Sequence, residues 1–161
     1  MKINGLIMGT KDHNVCLNCF IDNFDINDNF SLSLNSRFGF SDECNARLGE
    51  DPNDDDSVFN RVNRLFEYLP LATVIEDKII CLHGGIGSSL HYISEIENLP
   101  RPLEVIHEVN TPEQQLVVDI LWSDPTESDQ ELGILPNVIR DPAGTGNIVK
   151  FGPDRVNQFL V

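Results

Sequence analysis

The sequence predicts an α/β domain, and three observations carry that prediction. A stretch over 57–69, ended by Pro70, places apolar residues at helical spacing. "LATVI" and "KIICL" flank a polar turn at Glu76 and Asp77 and predict a pair of antiparallel strands. Further helical stretches follow over about 90–97 and from Pro153 onward, where a proline suits a first helical turn. With 161 residues and 40% hydrophobic content, the chain is long enough for one domain with a sizeable core.

Residues 1–35 are rich in Asn and Asp ("CFIDNFDINDNFSLSLN") and keep no sustained period, so they receive no assignment. From "SRFGFSDEC" the pattern becomes regular, with a short helix near 42–48. The acidic segment "GEDPNDDDS" disfavours helix and strand alike. It lacks the glycine and terminal glutamate of an EF-hand loop, which makes it a solvated charged loop. In the 57–69 helix, Val58, Val62, Leu65, Phe66 and Leu69 share one face, which is expected to pack on the sheet. The hairpin that follows is expected to carry His83 to its tip. The helix near 90–97 is closed by Pro100 and Pro102, and the apolar "EQQLVVDILWSDP" stops at Pro125.

Composition excludes several functions. A formal net charge of −15 argues against nucleic acid or anionic membrane as a partner, because both need a basic surface. No apolar run reaches transmembrane length, and "MKINGLIMGTKDHNV" has too short an apolar core for a signal peptide, so the expected location is cytoplasmic or nuclear. Four cysteines are few for a disulfide scaffold. Cys16 and Cys19 form a C-x-x-C, but neither a second such pair nor a histidine pair at finger spacing accompanies them.

The stretch with chemical promise is "KIICLHGGIGSSL", residues 78–90. An apolar strand ends at His83, and two glycines follow at once, as where an α/β sheet presents a side chain to a ligand. An imidazole there serves either as a metal ligand or catalytic group, or as a hydrogen-bonded structural histidine.

Several blocks in register give the chain a family resemblance: "RFGFSDEC", "FEYLPLATVIEDKIICLHGGIG", "LPRPLEV", "LWSDPTE" and "VKFGPDRVNQFL". Over about 36–161 they resemble the phosphoprotein phosphatase family of serine/threonine protein phosphatases. "HGGIG", "LWSDPTE" and "FGPDRV" are closest to the Kelch-repeat-containing branch, although no Kelch repeat lies in this chain. The resemblance implies a metallophosphatase-type β-sandwich flanked by helices, of which residues 36–161 would be the middle part, truncated at both ends. It also implies two metal ions (manganese, iron or zinc) and a metal-activated water that hydrolyses phosphoserine or phosphothreonine. Implied partners are phosphoprotein substrates and regulatory proteins.

By motif match, His83 becomes a metal ligand and Arg140 the phosphate clamp. A planar guanidinium suits that task. The family block is N-x-R-G, whereas "PNVIRDP" puts two residues between Asn137 and Arg140 and Asp141 where glycine is expected. A surface salt bridge is therefore the alternative for Arg140. Asp124, after Trp122 in "LWSDP", corresponds to a carboxylate that supports the metal centre from its rim; the alternative is a core tryptophan followed by an Asp-Pro turn. Arg101, between two prolines, reads as structural.

The resemblance also shows what is missing. The family's G-D-x-H-G, G-D-x-V-D-R-G and G-N-H-E blocks do not occur in residues 1–35, and "TKDHN" is no substitute. The family's further metal-binding histidine would fall after Val161. One histidine cannot build a metal centre. Two functional expectations follow: a segment of a metal-dependent phosphatase that is inactive alone, or a non-catalytic remnant that acts as a binding or regulatory module. Either way a partly uncovered sheet, exposed apolar surface and low stability are expected.

Overall fold

A computed structural model describes residues 6–7, 35–36, 39–76, 78–103 and 108–159. Cys16, Cys19 and "TKDHN" lie outside the described residues.

Helix α1 spans Phe40–Leu48, between Gly39 and Gly49. The acidic loop follows as a series of turns, tightened by Asp51 and Asp54 carboxylates that accept the backbone N–H groups of Asn53 and Asp56, each at 2.9 Å. Helix α2, Val58–Phe66, starts where the Ser57 hydroxyl accepts the Asn60 N–H at 3.2 Å.

The buried face of α2 differs from the apolar stripe. Val58 and Leu65 are 39% and 56% exposed, while Phe59, Asn60 and Asn63 are buried. The physical reason is hydrogen bonding. The Asn60 amide donates to the carbonyls of Pro52 and Asp54, both at 2.8 Å, and fastens the acidic loop beneath the helix. Asn63 accepts from the Asn35 amide, and the Phe59 ring packs on Phe40 with centroids 5.5 Å apart. Asparagines that satisfy buried carbonyls outrank a period counted in apolar residues.

Strands β1 (Leu6–Ile7), β2 (Ala72–Ile75) and β3 (Ile79–Leu82) form a sheet with β3 in the centre and both pairings antiparallel. The register pairs Ile75 with Ile79, and Glu76 and Lys78 lie in the turn that joins the strands. His83 follows the opposite end of β3. It is therefore not at the hairpin tip; because the strand runs away from the turn, His83 emerges at the open end of the pair.

Helix α3 is short, Ile93–Glu97, because Tyr92 just before it keeps an extended backbone. The Glu95 carboxylate closes its start by accepting the N–H groups of His91 and Tyr92 at 2.6 and 2.8 Å. The apolar "EQQLVVDILW" forms α4, Pro112–Trp122, with Thr111 and Gln114 in a reciprocal capping box. A second sheet is built from β4 (Asp124–Pro125), β5 (Ile134–Pro136) and β6 (Val149–Phe151), with β6 central, parallel to β4 and antiparallel to β5. Helix α5, Pro153–Phe159, follows directly.

One core joins these parts. Ile80 and Leu82 of β3, Leu116 and Ile120 of α4 and Phe151 of β6 belong to a single buried cluster. Each side chain so removed from water contributes about 1.5–3 kcal/mol before entropy is counted. The observed architecture is α/β: helices around small sheets.

Candidate functional site

Both sheets end at one cavity of about 770 Å³, lined by His83, Asp124, Glu127, Asn137, Arg140 and Lys150 among others. The three side chains singled out in the sequence, His83, Asp124 and Arg140, thus converge although 57 residues separate the first from the last.

His83 enters from the end of β3, on a backbone pressed against α4. The Gly84 N–H donates to the Ile120 carbonyl at 2.8 Å. A Cβ on Gly84 would stand 2.8 Å from the Leu121 carbonyl carbon, and one on Gly85 would stand 2.2 Å from the Phe151 ring. The two glycines thus let the strand end pass between helix and second sheet; any side chain would push it off.

Asp124 and Lys150 are neighbours in the parallel register of β4 and β6. The Asp124 carboxylate accepts from the Asn137 amide at 2.7 Å and from Arg140 Nε at 2.8 Å. Asn137, 1% exposed, also accepts the Arg140 backbone N–H at 3.3 Å through its amide oxygen. The extra residue of "PNVIRDP" is absorbed in this turn: Val138 and Ile139 point outward, 71% and 76% exposed.

Asp141 stands apart from the arginine. Its carboxylate accepts the N–H groups of Thr145 and Gly146 at 3.0 and 2.7 Å and the Thr145 hydroxyl at 3.1 Å. The Thr145 N–H, first among these donors, holds its carboxyl below the usual value. The carboxylate that meets Arg140 is Asp124, and it does so as an ion pair with side chains 38% and 34% exposed.

That pair leaves Arg140 useful. Nε is committed to Asp124, and among the described residues the two terminal nitrogens make no hydrogen bond. Held by its inner edge, the fork can offer its outer edge to an oxyanion. Lys150 adds a second cation on the same cavity, paired with Glu127 at 2.9 Å. The hydrogen bond to Glu127, aided by the charges of Glu127, Glu131 and Asp124, raises its pKa.

These observations meet the comparisons with known proteins. A family model described as calcineurin-like phosphoesterase matches residues 23–161. The chain belongs to the calcineurin-like phosphoesterase family. It is also similar to the serine/threonine-protein phosphatase BSL2 of Arabidopsis thaliana, with 47% identity over 129 residues, or 80% of this chain. The chain spans 12% of the length of that relative.

Calcineurin-like phosphoesterases imply divalent metal ions, and the donor set tests whether these residues fit them. Among the described residues, no three His, Cys, Asp or Glu side chains gather closely enough to hold a metal ion. His83 is followed by Gly84 and Gly85, which carry no donor atoms in side chains, and Oδ2 of Asp124 is taken up by Asn137 and Arg140. The described residues therefore do not fit a two-ion centre.

Sequence reasoning missed Asn137 as a participant and missed Lys150 altogether. Asn137 stood in the block with Arg140 and served only to measure its spacing. Lys150 had a signal in "VKF", a lysine between the inward-facing residues of a short strand, but nothing in the sequence pairs that strand with Asp124.

Proposed function

We propose that the chain binds phosphorylated serine or threonine side chains in the His83–Arg140 cavity, as the middle part of a serine/threonine protein phosphatase catalytic domain. The observation that carries this reading is the Arg140 guanidinium, fixed at Nε by Asp124 and facing the cavity that His83 also lines. The phosphate oxygens would take the terminal guanidinium nitrogens, with Lys150 as a second positive charge. Asn137 and Asp124 position the arginine. The similarity to a serine/threonine-protein phosphatase supports the choice of phosphoester, and the wording of "LWSDPTE" and "FGPDRV" supports the Kelch-containing branch.

In the family, hydrolysis would draw on manganese, iron or zinc, with His83 offering one imidazole. Because no three His, Cys, Asp or Glu side chains gather among the described residues, a second reading has its own support: a phosphate-binding or regulatory module without turnover.

One experiment separates these readings. Calorimetric titration with a phosphoserine peptide and its unphosphorylated twin is expected to show binding of the first, with Arg140→Ala weakening it about tenfold to a hundredfold. Phosphate release from the same peptide is then followed in excess manganese. Release that disappears in His83→Ala supports the phosphatase reading; binding without release supports the module. Equal binding of the two peptides overturns both.

A further inference from the structure

We propose that Asp119, a residue no motif assigns, is the positioning residue that holds the His83 side of the cavity in register with the Arg140 and Lys150 side. It lies in "QLVVDIL", an otherwise apolar run of α4, and is 0% exposed. A carboxylate in a core is costly unless hydrogen bonds replace its water. Here they do so on both oxygens, and they reach in two directions.

Toward His83, Asp119 Oδ2 accepts the backbone N–H groups of Ser88 and Ser89, both at 2.8 Å, and their hydroxyls at 3.1 and 2.8 Å. These serines end the loop that begins at His83. Gly87, just before them, has φ +45°, and a Cβ there would stand 2.1 Å from the Asp119 carboxyl carbon. The loop therefore lies directly on the carboxylate. Arg155 of α5 closes the far end of the loop by donating to the Leu90 carbonyl.

Toward Arg140 and Lys150, Asp119 Oδ1 accepts Gln115 Nε2 at 3.0 Å. Gln115, one helical turn earlier on the same face, donates at 2.8 Å to the Asn147 carbonyl as well. Asn147 lies between the Asp141 turn and β6, the strand of Lys150. The Asn137 N–H in turn bonds the Ile148 carbonyl at 3.3 Å. The buried carboxylate and Gln115 together thus bridge the two loops on opposite sides of the cavity, Asp119 holding one and Gln115 the other. The Asp119–Gln115 network is complete only when both loops are docked, Ser88 and Ser89 on Asp119 and Asn147 on Gln115, which couples one side to the other.

The consequence for phosphate binding rests on the function proposed above; the coupling itself does not. The test therefore has two readouts on the full chain: amide hydrogen exchange, residue by residue, and affinity for a phosphoserine peptide. Asp119→Ala is expected to accelerate exchange selectively at Ser88, Ser89 and the amides after Asn147, and to weaken the peptide about tenfold. Asp119→Asn, which keeps an acceptor, should fall between it and the wild type. Val117→Ala, in the same helix and core but without a polar partner, should lower the melting temperature without that pattern. Should Asp119→Ala fail to fold, Ser89→Ala removes one hydroxyl donor from the loop side and should give a smaller shift at the same amides. Uniform acceleration in the Asp119 and Val117 variants alike, or none at Ser88 and Ser89, overturns the proposal. Selective acceleration without any peptide binding by the wild type upholds the coupling and removes the phosphate reading.

Discussion

The two sides of the cavity are held by different physics. On the His83 side the strand end is fixed by close packing: Ile80 is 1% exposed, Ile86 and Leu90 are 0%, and glycines lie against α4 and Phe151, with hydrogen bonds to Asp119 entering only at Ser88 and Ser89 further along the loop. On the Arg140 side the fixing is polar, through the Arg140–Asp124 and Lys150–Glu127 pairs and the carboxylate of Asp141. Packing positions a group without adjusting to what it binds. An exposed ion pair can exchange partners at little cost, because the pair itself contributes only about 0–1 kcal/mol. The contrast predicts that damage to the first side shows as lost stability, and damage to the second as lost binding.

The largest effect should come from Gly85→Ala. Its Cβ would fall 2.2 Å from Phe151 Cε1 and 3.0 Å from Ser123 Oγ, inside a core with no room to yield. Overpacking of this kind costs about 3 kcal/mol or more. A thermal melt should fall by roughly 6–12 °C for a chain of this length. A melt within about two degrees of the wild type would show that the glycine side is no more rigid than the polar one.

Arg140→Ala is the reciprocal. It removes a half-exposed ion pair, so the melt should stay within about two degrees, while affinity for a phosphoserine peptide falls about tenfold to a hundredfold. Loss of stability with intact affinity would make Arg140 a structural partner of Asp124, the alternative that its sequence context left open.

The same contrast explains what was legible in the sequence. Packing leaves a pattern in composition and period, so the β2–β3 hairpin, α1 and the Pro153 helix could be placed from it. Polar fixing depends on who meets whom, which one sequence does not encode locally. The α2 face was misassigned for that reason: Val58, Val62 and Leu65 have the right spacing, but Asn60 and Asn63 carry the buried contacts. His83, Asp124 and Arg140 were found through their motif blocks, which preserve such meetings without explaining them. Lys150 and Asp119 had no motif assignment. An acidic residue inside "LVVDIL" was nonetheless a signal, since a lone charge in an apolar helix asks for partners.

Salt should distinguish the sides next. Screening shortens to about 3 Å at 1 M ionic strength, against about 10 Å at 0.1 M. Raising salt over that range should weaken the phosphoserine peptide several-fold, and Lys150→Gln should flatten the dependence. Stability should change little over the same range, because the packed side is held by apolar contacts that added salt does not screen. A salt-independent affinity would remove Lys150 and Arg140 from the binding step.

The smallest effect concerns pH, and its sign follows from the two shifted groups on the polar side. Asp141 has its pKa lowered from 3.8 in the folded chain, first by the Thr145 N–H. A group shifted this way contributes stability above its ordinary value and loses it as the pH falls through the lowered one. Lys150 has its pKa raised from 10.5, first by its hydrogen bond to Glu127. Its contribution is complete below the ordinary value and is lost as the pH rises through the raised one. Between these limits neither group should alter stability. Below about pH 3.8, wild type should lose stability faster than Asp141→Asn, so that urea midpoints of the two converge as the pH drops. Gly85→Ala, damaged on the packed side, should run parallel to the wild type throughout that acid range. Parallel curves for Asp141→Asn instead would mean that the turn after Arg140 keeps its shape without the carboxylate, and that the polar side is held by the Arg140–Asp124 and Lys150–Glu127 pairs.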